Sequence, residues 1–166
     1  GETRQLDQYI SGMSFDGFES IWSYIVYGDG RVNIRHTVKP HGTMPPYLPR
    51  IGITFVLDGS LSNVQWYGRG PQANYPDRKS GYRIGIWNTT VEDMYEPYLI
   101  PQEYGLRTDN RWVRMTDSDG KGVEFSVDQL FNFNAYPYTT DNLTKAVYQY
   151  QLQKTEDITF NLDYAT

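Results

Sequence analysis

The chain has 166 residues, 39% of them hydrophobic and 21% charged, which excludes a disordered tail and allows about one domain with a real core. Cysteine is absent, which excludes a disulfide scaffold, a Cys-ligated zinc site and a thiol nucleophile, and leaves the compartment open. The net charge is −5 with scattered basic residues, which speaks against nucleic acid as a partner, and no apolar run nears the roughly 18–20 residues that span a bilayer.

Aromatic residues make up 16%, with 15 Tyr, and favour β structure because rings fit pleated, half-buried surfaces. Gly1-Glu2-Thr3-Arg4 opens a polar stretch with no signal-peptide pattern. Residues 21–27 are β-rich and end at Gly28-Asp29-Gly30. Val32, Ile34, His36 and Val38 then alternate with polar residues, which predicts a hairpin. The Pro-rich stretch 40–49 predicts a loop. Ile51, Ile53, Phe55 and Leu57 alternate again, and residues 64–67 predict a short strand. Two irregular stretches follow, 68–81 and 96–108; long ordered loops in a compact domain are often functional or interface-forming. Residues 111–116 and 123–127 flank Asp117-Ser118-Asp119-Gly120, a second hairpin pattern. Phe131, Phe133 and Ala135 alternate, and 140–146 is the one helix start with cap-type residues. Ile158, Phe160 and Leu162 form a last strand. With no repeat and no linker, residues 1–166 read as one all-β domain.

Most familiar chemistries find little footing. His36 and His41 are the two histidines, one in a strand pattern and one in the Pro-rich loop, and there is no G-x-S-x-G elbow. Asp117 to Gly120 begins like a calcium loop, but Lys121 occupies a ligand position and would repel the ion, so a polar hairpin turn is the better reading. Gly68-Arg69-Gly70 lacks the third glycine and the helix of a phosphate cradle. Asn88-Thr89-Thr90 and Asn142-Leu143-Thr144 match the glycosylation triplet but carry no meaning without a secretory context. Asp77, Glu92, Asp93, Glu96 and Glu103 lie in or beside the irregular stretches, and sugar hydrolysis needs two carboxyls flanking one bond. Trp66, Tyr67, Tyr75, Tyr82, Trp87, Tyr95 and Tyr98 stand near them, either to stack on sugar faces or, the favoured reading, to fill a core and its loop bases.

The stretch Trp66-Tyr67-Gly68-Arg69-Gly70-Pro71-Gln72-Ala73-Asn74-Tyr75-Pro76-Asp77-Arg78 resembles a signature of the large β-galactosidases of glycoside hydrolase family 2. Three further pieces agree in order and spacing: Pro49-Arg50-Ile51-Gly52 before it, then Asp93-Met94-Tyr95-Glu96-Pro97-Tyr98 and Pro101-Gln102-Glu103-Tyr104-Gly105-Leu106-Arg107. The specific match covers 49–107; the flanks 9–38 and 123–162 fit only in strand pattern. Ala73 departs from the motif, since many relatives carry glutamate there. Gln72 or another group must then supply whatever bracing that glutamate gives.

The resemblance implies the C-terminal, small-chain domain of such an enzyme. That domain is a large antiparallel supersandwich of the galactose-mutarotase-like type. It implies hydrolysis of terminal β-D-galactosides such as lactose with retention, in carbohydrate metabolism. The two catalytic glutamates belong to an upstream TIM barrel, so no catalytic residue and no cofactor is expected in this chain. Magnesium, with sodium as a further candidate, is implied for the parent. Partners implied are the barrel and other domains of the parent chain, the galactoside, and further copies in a homo-oligomer. The compartment stays open between the cytoplasm and periplasm of a bacterium. In the family a glycine-rich segment ending in Ser-Trp follows the last strand, and an Arg-Ala-Pro-Thr-Asp-Asn-type segment precedes the first. Neither is in this sequence, which ends Asp163-Tyr164-Ala165-Thr166, so it reads as a fragment cut at both ends, with unpaired edges that invite self-association. Arg69, Asn74, Tyr75, Asp77, Arg78, Glu103 and Arg107 are the candidates for loop bracing, barrel docking or sugar contact. The alternative to a non-catalytic enzyme domain is an autonomous carbohydrate-binding module that uses the 68–81 and 96–108 stretches and their aromatics. Arg78 is expected to pair with Asp77 or Glu103 and tie the two loops together.

Overall fold

The computed structural model describes residues 17–48 and 50–165. The readings made on residues 1–16, on Pro49 and on Thr166 lie outside the described residues. The chain divides into two compact units, Gly1–Leu48 and Pro49–Thr166. The expected all-β, antiparallel class is met: every paired strand in both sheets is antiparallel.

The described part of the first unit is one hairpin. β1 (Gly17–Val26) pairs with β2 (Val32–His41), from Val26↔Val32 to Gly17↔His41. The turn closes as read, with Gly30 at φ 89° and Tyr27 N–H donating to Arg31 O at 2.9 Å. β2 runs to His41, two residues into the stretch expected to be loop. One face of the hairpin carries Trp22 stacked on His36 at 3.8 Å, and Ser20 Oγ bonds His36 Nε2 at 2.7 Å. His36 is thus a packed strand residue, and partial burial lowers its pKa.

The second unit is a six-stranded sheet in the order β3-β8-β7-β6-β4-β5. Its strands are β3 (Ile51–Leu57), β4 (Asn63–Gly70), β5 (Arg83–Thr90), β6 (Arg107–Thr116), β7 (Gly122–Tyr136) and β8 (Ile158–Ala165). Alternation drives this layout. Val64, Trp66, Val113, Met115, Phe133 and Phe160 are each at most 1% exposed and form the main core, alternating with polar neighbours. Trp66 meets Phe133 edge-on at 6.0 Å, and Phe160 stacks on Phe125 at 4.5 Å. Each such side chain contributes roughly 1.5–3 kcal/mol when fully buried.

Three departures from the sequence reading have local causes. β5 was not marked by any run, because Gly85 and Asn88 interrupt its alternation. β4 continues through Gly68-Arg69-Gly70, so the first three residues of the irregular stretch 68–81 are strand. β6 opens at Arg107 rather than 111, because its register against β7 shifts twice between Arg107 and Trp112, and a bulge hides the period. The turn at 117–120 is the polar hairpin favoured above: Asp117 Oδ1 accepts from the N–H groups of Asp119 and Lys121, both at 2.9 Å. Helix α1 (Thr140–Lys145) forms where cap residues predicted it. Thr139 Oγ1 accepts from Asn142 N–H at 3.0 Å, and Lys145 pairs with Asp141. A second cluster of Tyr104, Tyr136, Tyr138 and Leu143 closes beside it.

Candidate functional site

The signature leaves the sheet at the end of β4, and its two glycines are there for contact. A Cβ on Gly68 would stand 2.0 Å from Asn110 Oδ1, and one on Gly70 would stand 2.7 Å from the Trp87 ring. The Gly70–Pro71 peptide is cis. Beyond it the chain turns inward, and Ala73 and Asn74 are buried.

Asn74 is the hub of this loop. Its Nδ2 donates to the carbonyls of Gln72 at 3.0 Å and Arg69 at 3.3 Å. Its Oδ1 accepts from Thr108 N–H at 3.1 Å and from the Thr108 hydroxyl at 2.5 Å, and its own N–H donates to Leu106 O at 2.8 Å. One neutral amide therefore satisfies loop backbone that no ladder reaches and fastens the loop to the start of β6. Trp66 Nε1 donates to the same Arg69 carbonyl at 2.9 Å. Ala73, next in sequence to this hub, is itself buried, and the bond that involves Gln72 is the one its carbonyl accepts from Asn74.

The bulge in β6 supplies the second half of the site. Asp109 sits at φ 56°, which aims its carboxylate at Arg69 Nε (2.5 Å) and Lys79 Nζ (2.9 Å). Burial pushes the Asp109 carboxyl up, but the bonds and charges of Arg69 and Lys79 outweigh it and hold the group below its ordinary range. Arg69 also donates to Tyr82 O at 2.8 Å. Asn110 Nδ2 covers carbonyls that the bulge frees, at Arg107 O (2.7 Å) and Phe131 O (2.9 Å). Arg107 is 4% exposed, lies 5.1 Å over the Trp66 ring and donates to Gly105 O at 2.8 Å. Burial lowers its pKa to about 10, against the charge of Glu96.

The candidates do not all converge. Arg69, Asn74 and Arg107 share the buried base of the loop. Tyr75 and Arg78 form its tip: a bridge pairs them, and the Arg78 guanidinium lies 5.3 Å over the Tyr75 ring. Asp77 is exposed between them. The structure corrects the expected pairing of Arg78 with Asp77 or Glu103: Arg78 packs on Tyr75, and Glu103 goes to Arg50. Arg50, two residues ahead of Gly52, takes Glu103 in an ion pair and also donates to Asp163 Oδ1 at 2.7 Å. Arg50 reaches Glu103 because β3 and β8 bring residues 50 and 163 together beside the 96–106 loop, whereas Arg78 is spent on its own strand-turn partner. Asp163 is buried with Oδ2 unpartnered among the described residues. Burial raises its pKa despite Arg50, and Glu103 adds to the rise. Sequence reasoning missed Asp109, Lys79, Thr108 and Asp163. The run Arg107-Thr108-Asp109-Asn110-Arg111 was a signal only to a reader expecting a bulge.

The remaining carboxylates scatter. Glu92 pairs with Lys154, Asp93 bonds Thr90, and Glu96 accepts from Tyr98 OH at 2.5 Å. Of the aromatics, Trp66 is fully buried core and Trp87 is packed against it. Tyr95 and Tyr98 pack on the second cluster. Among the described residues no three His or acidic side chains stand together to hold a metal ion. No described helix is long and apolar enough to cross a membrane.

An antiparallel all-β unit with a proline-stiffened loop pinned on buried Asn, Arg and Trp is a domain built to hold one loop in one shape. The chain belongs to the family described as the β-galactosidase small chain, whose model matches residues 3–166. It is 34% identical over 142 residues to a β-galactosidase of Priestia megaterium, covering 86% of this chain and 14% of the relative. It is 36% identical over 142 residues to one of Vibrio cholerae, covering 86% and 13%. A β-galactosidase of Halalkalibacterium halodurans is 36% identical over 132 residues, covering 78% and 13%. The chain thus spans 13–14% of the length of these relatives.

Proposed function

We propose that this chain is a non-catalytic C-terminal domain of a glycoside hydrolase family 2 β-galactosidase. The parent hydrolyses terminal β-D-galactosides such as lactose with retention; its two glutamates belong to an upstream TIM barrel, which is also the main binder of its magnesium. The observation that carries this reading is the scatter of carboxylates. Glu92 and Glu96 each answer to a different local partner, and the two carboxylates that do meet, Glu103 and Asp163, are both tied to the Arg50 guanidinium with Asp163 buried, an arrangement suited to bracing rather than to flanking a glycosidic bond.

The signature loop gives the domain its task. Its base is buried and rigid, while Asp77 and Arg78 at the tip face solvent. A rigid loop with a polar tip is suited to docking on the barrel, where it completes and covers the sugar site at low entropic cost. The parent acts as a homo-oligomer in carbohydrate metabolism.

Pure chain, freed of host enzyme, is expected to leave nitrophenyl-β-galactoside intact. Adding the remainder of a family β-galactosidase that lacks this domain restores turnover. Hydrolysis by the chain alone would sink the proposal.

A further inference from the structure

The outward face of β4, β5 and β6 carries a groove of about 320 Å³ that the docking loop does not use. Its outward-pointing lining comes from Asn63, Gln65, Asn88, Arg114 and Thr116. The register brings them together: Gln65 lies between Asn88 and Arg114, and Asn63 lies opposite Thr116. Alternation sends all five side chains away from the core residues Val64 and Trp66.

The chemistry of this lining is specific. Its outward side chains are three amides, one hydroxyl and one guanidinium, Val64 and Thr89 complete the lining, and no carboxylate is in it. An anion would call for more cations, and an apolar ligand for fewer dipoles. Amides and a hydroxyl match a ligand whose groups both donate and accept, which is what sugar hydroxyls do. The groups are also held in place. Gln65 Nε2 donates to Asn88 Oδ1 at 2.8 Å. The Arg114 guanidinium lies 4.7 Å over the Trp112 ring, with Nε on Glu124 Oε2 at 2.5 Å. Among the described residues these bonds leave Asn88 Nδ2, the Thr116 hydroxyl and Arg114 Nη2 for a ligand. The next row on the same face, Ile86, Tyr67 and Trp112, is apolar and offers a flank for C–H surface.

We propose that this groove is a saccharide-binding site, taking a pyranose with vicinal hydroxyls. It stands on this face alone and does not depend on how the signature loop acts.

The test is a lactose titration of the isotope-labelled chain followed by amide chemical shifts, with glycerol at equal concentration as control. Saturable shifts are expected at residues 63–65, 88 and 112–116, with half-saturation on the order of millimolar. Asn88→Ala and Arg114→Gln are each expected to weaken binding about three- to tenfold. Should Arg114→Gln fail to fold, Asn88→Ala, which removes an exposed amide, carries the same test. Shifts that stay linear to ~100 mM overturn the proposal. So do shifts equal to those with glycerol, or shifts confined to residues 69–82 and 96–108.

Discussion

Two loops of the second unit are fastened to one sheet by different chemistry. The loop after β4 is held by Asn74, a neutral amide with every bond returned by backbone or by the Thr108 hydroxyl. The 96–106 loop is held at Glu103 by Arg50, which also carries the buried carboxylate of Asp163. The neutral hub is fully satisfied, so it fixes geometry at little electrostatic cost. The charged one places two carboxylates on one guanidinium and leaves Asp163 Oδ2 unpartnered, so its stability rests on Arg50. Loop shape and loop attachment are thus separable, and each can be broken alone.

Arg50→Met should have the largest effect. It strands Asp163 in the interior without its cation, and breaking a buried pair from one side costs about 3–5 kcal/mol. Urea unfolding followed by Trp fluorescence reads this directly. A loss under ~1 kcal/mol would mean that Asp163 is already neutral in the fold. Asn74→Ala comes second, at about 2–3 kcal/mol, since it leaves the Thr108 N–H and the Gln72 carbonyl without partners. The comparison sharpens with salt: added NaCl should move the Arg50 variant relative to the parent chain and leave the Asn74 effect unchanged.

A pH series separates the charged groups further. Asp109 is held below its ordinary pKa, so it contributes stability above the unfolded value, about 3.9, that is lost as pH falls through the folded one. Asp163 is raised, so its folded form takes up a proton first and stability grows as pH falls toward the same value. Asp109→Asn should cost about 1–2 kcal/mol at pH 7 and flatten the loss below pH ~4. The midpoint of urea unfolding against pH checks both signs, and a steeper acid loss in Asp109→Asn would reverse the assignment.

The fold was legible where its signals were local. The turns at 28–30 and 117–120 announced themselves through Gly and Asp, and helix α1 through Thr139 to Asn142. Strand β5 was not, since Gly85 packs on Trp87 for reasons that only the fold reveals. The family signature pointed to Arg69, Asn74 and Arg107, and all three are held at the loop base. It could not say which cation meets Glu103. That pairing joins residues 53 positions apart through β3 and β8, and no spacing rule reaches so far. Asp109 was hidden for a related reason: its role depends on a bulge that forms only when β6 pairs with β7.

The smallest effect belongs to the loop tip. Arg78 is exposed, lies over Tyr75 and exchanges backbone hydrogen bonds with it within the loop. Surface substitutions away from buried features stay within about 0.5 kcal/mol, so Arg78→Ala should leave the unfolding midpoint of the chain almost unchanged. An exposed cation over an aromatic ring contributes only about 0.5–1 kcal/mol at most. The same variant, placed in the complementation mixture with the remainder of the enzyme, should raise the chain concentration needed for half-maximal turnover several-fold. A stable variant that complements normally would remove Arg78 from the docking surface. A destabilised one would move it to the bracing side of the comparison, beside Asn74.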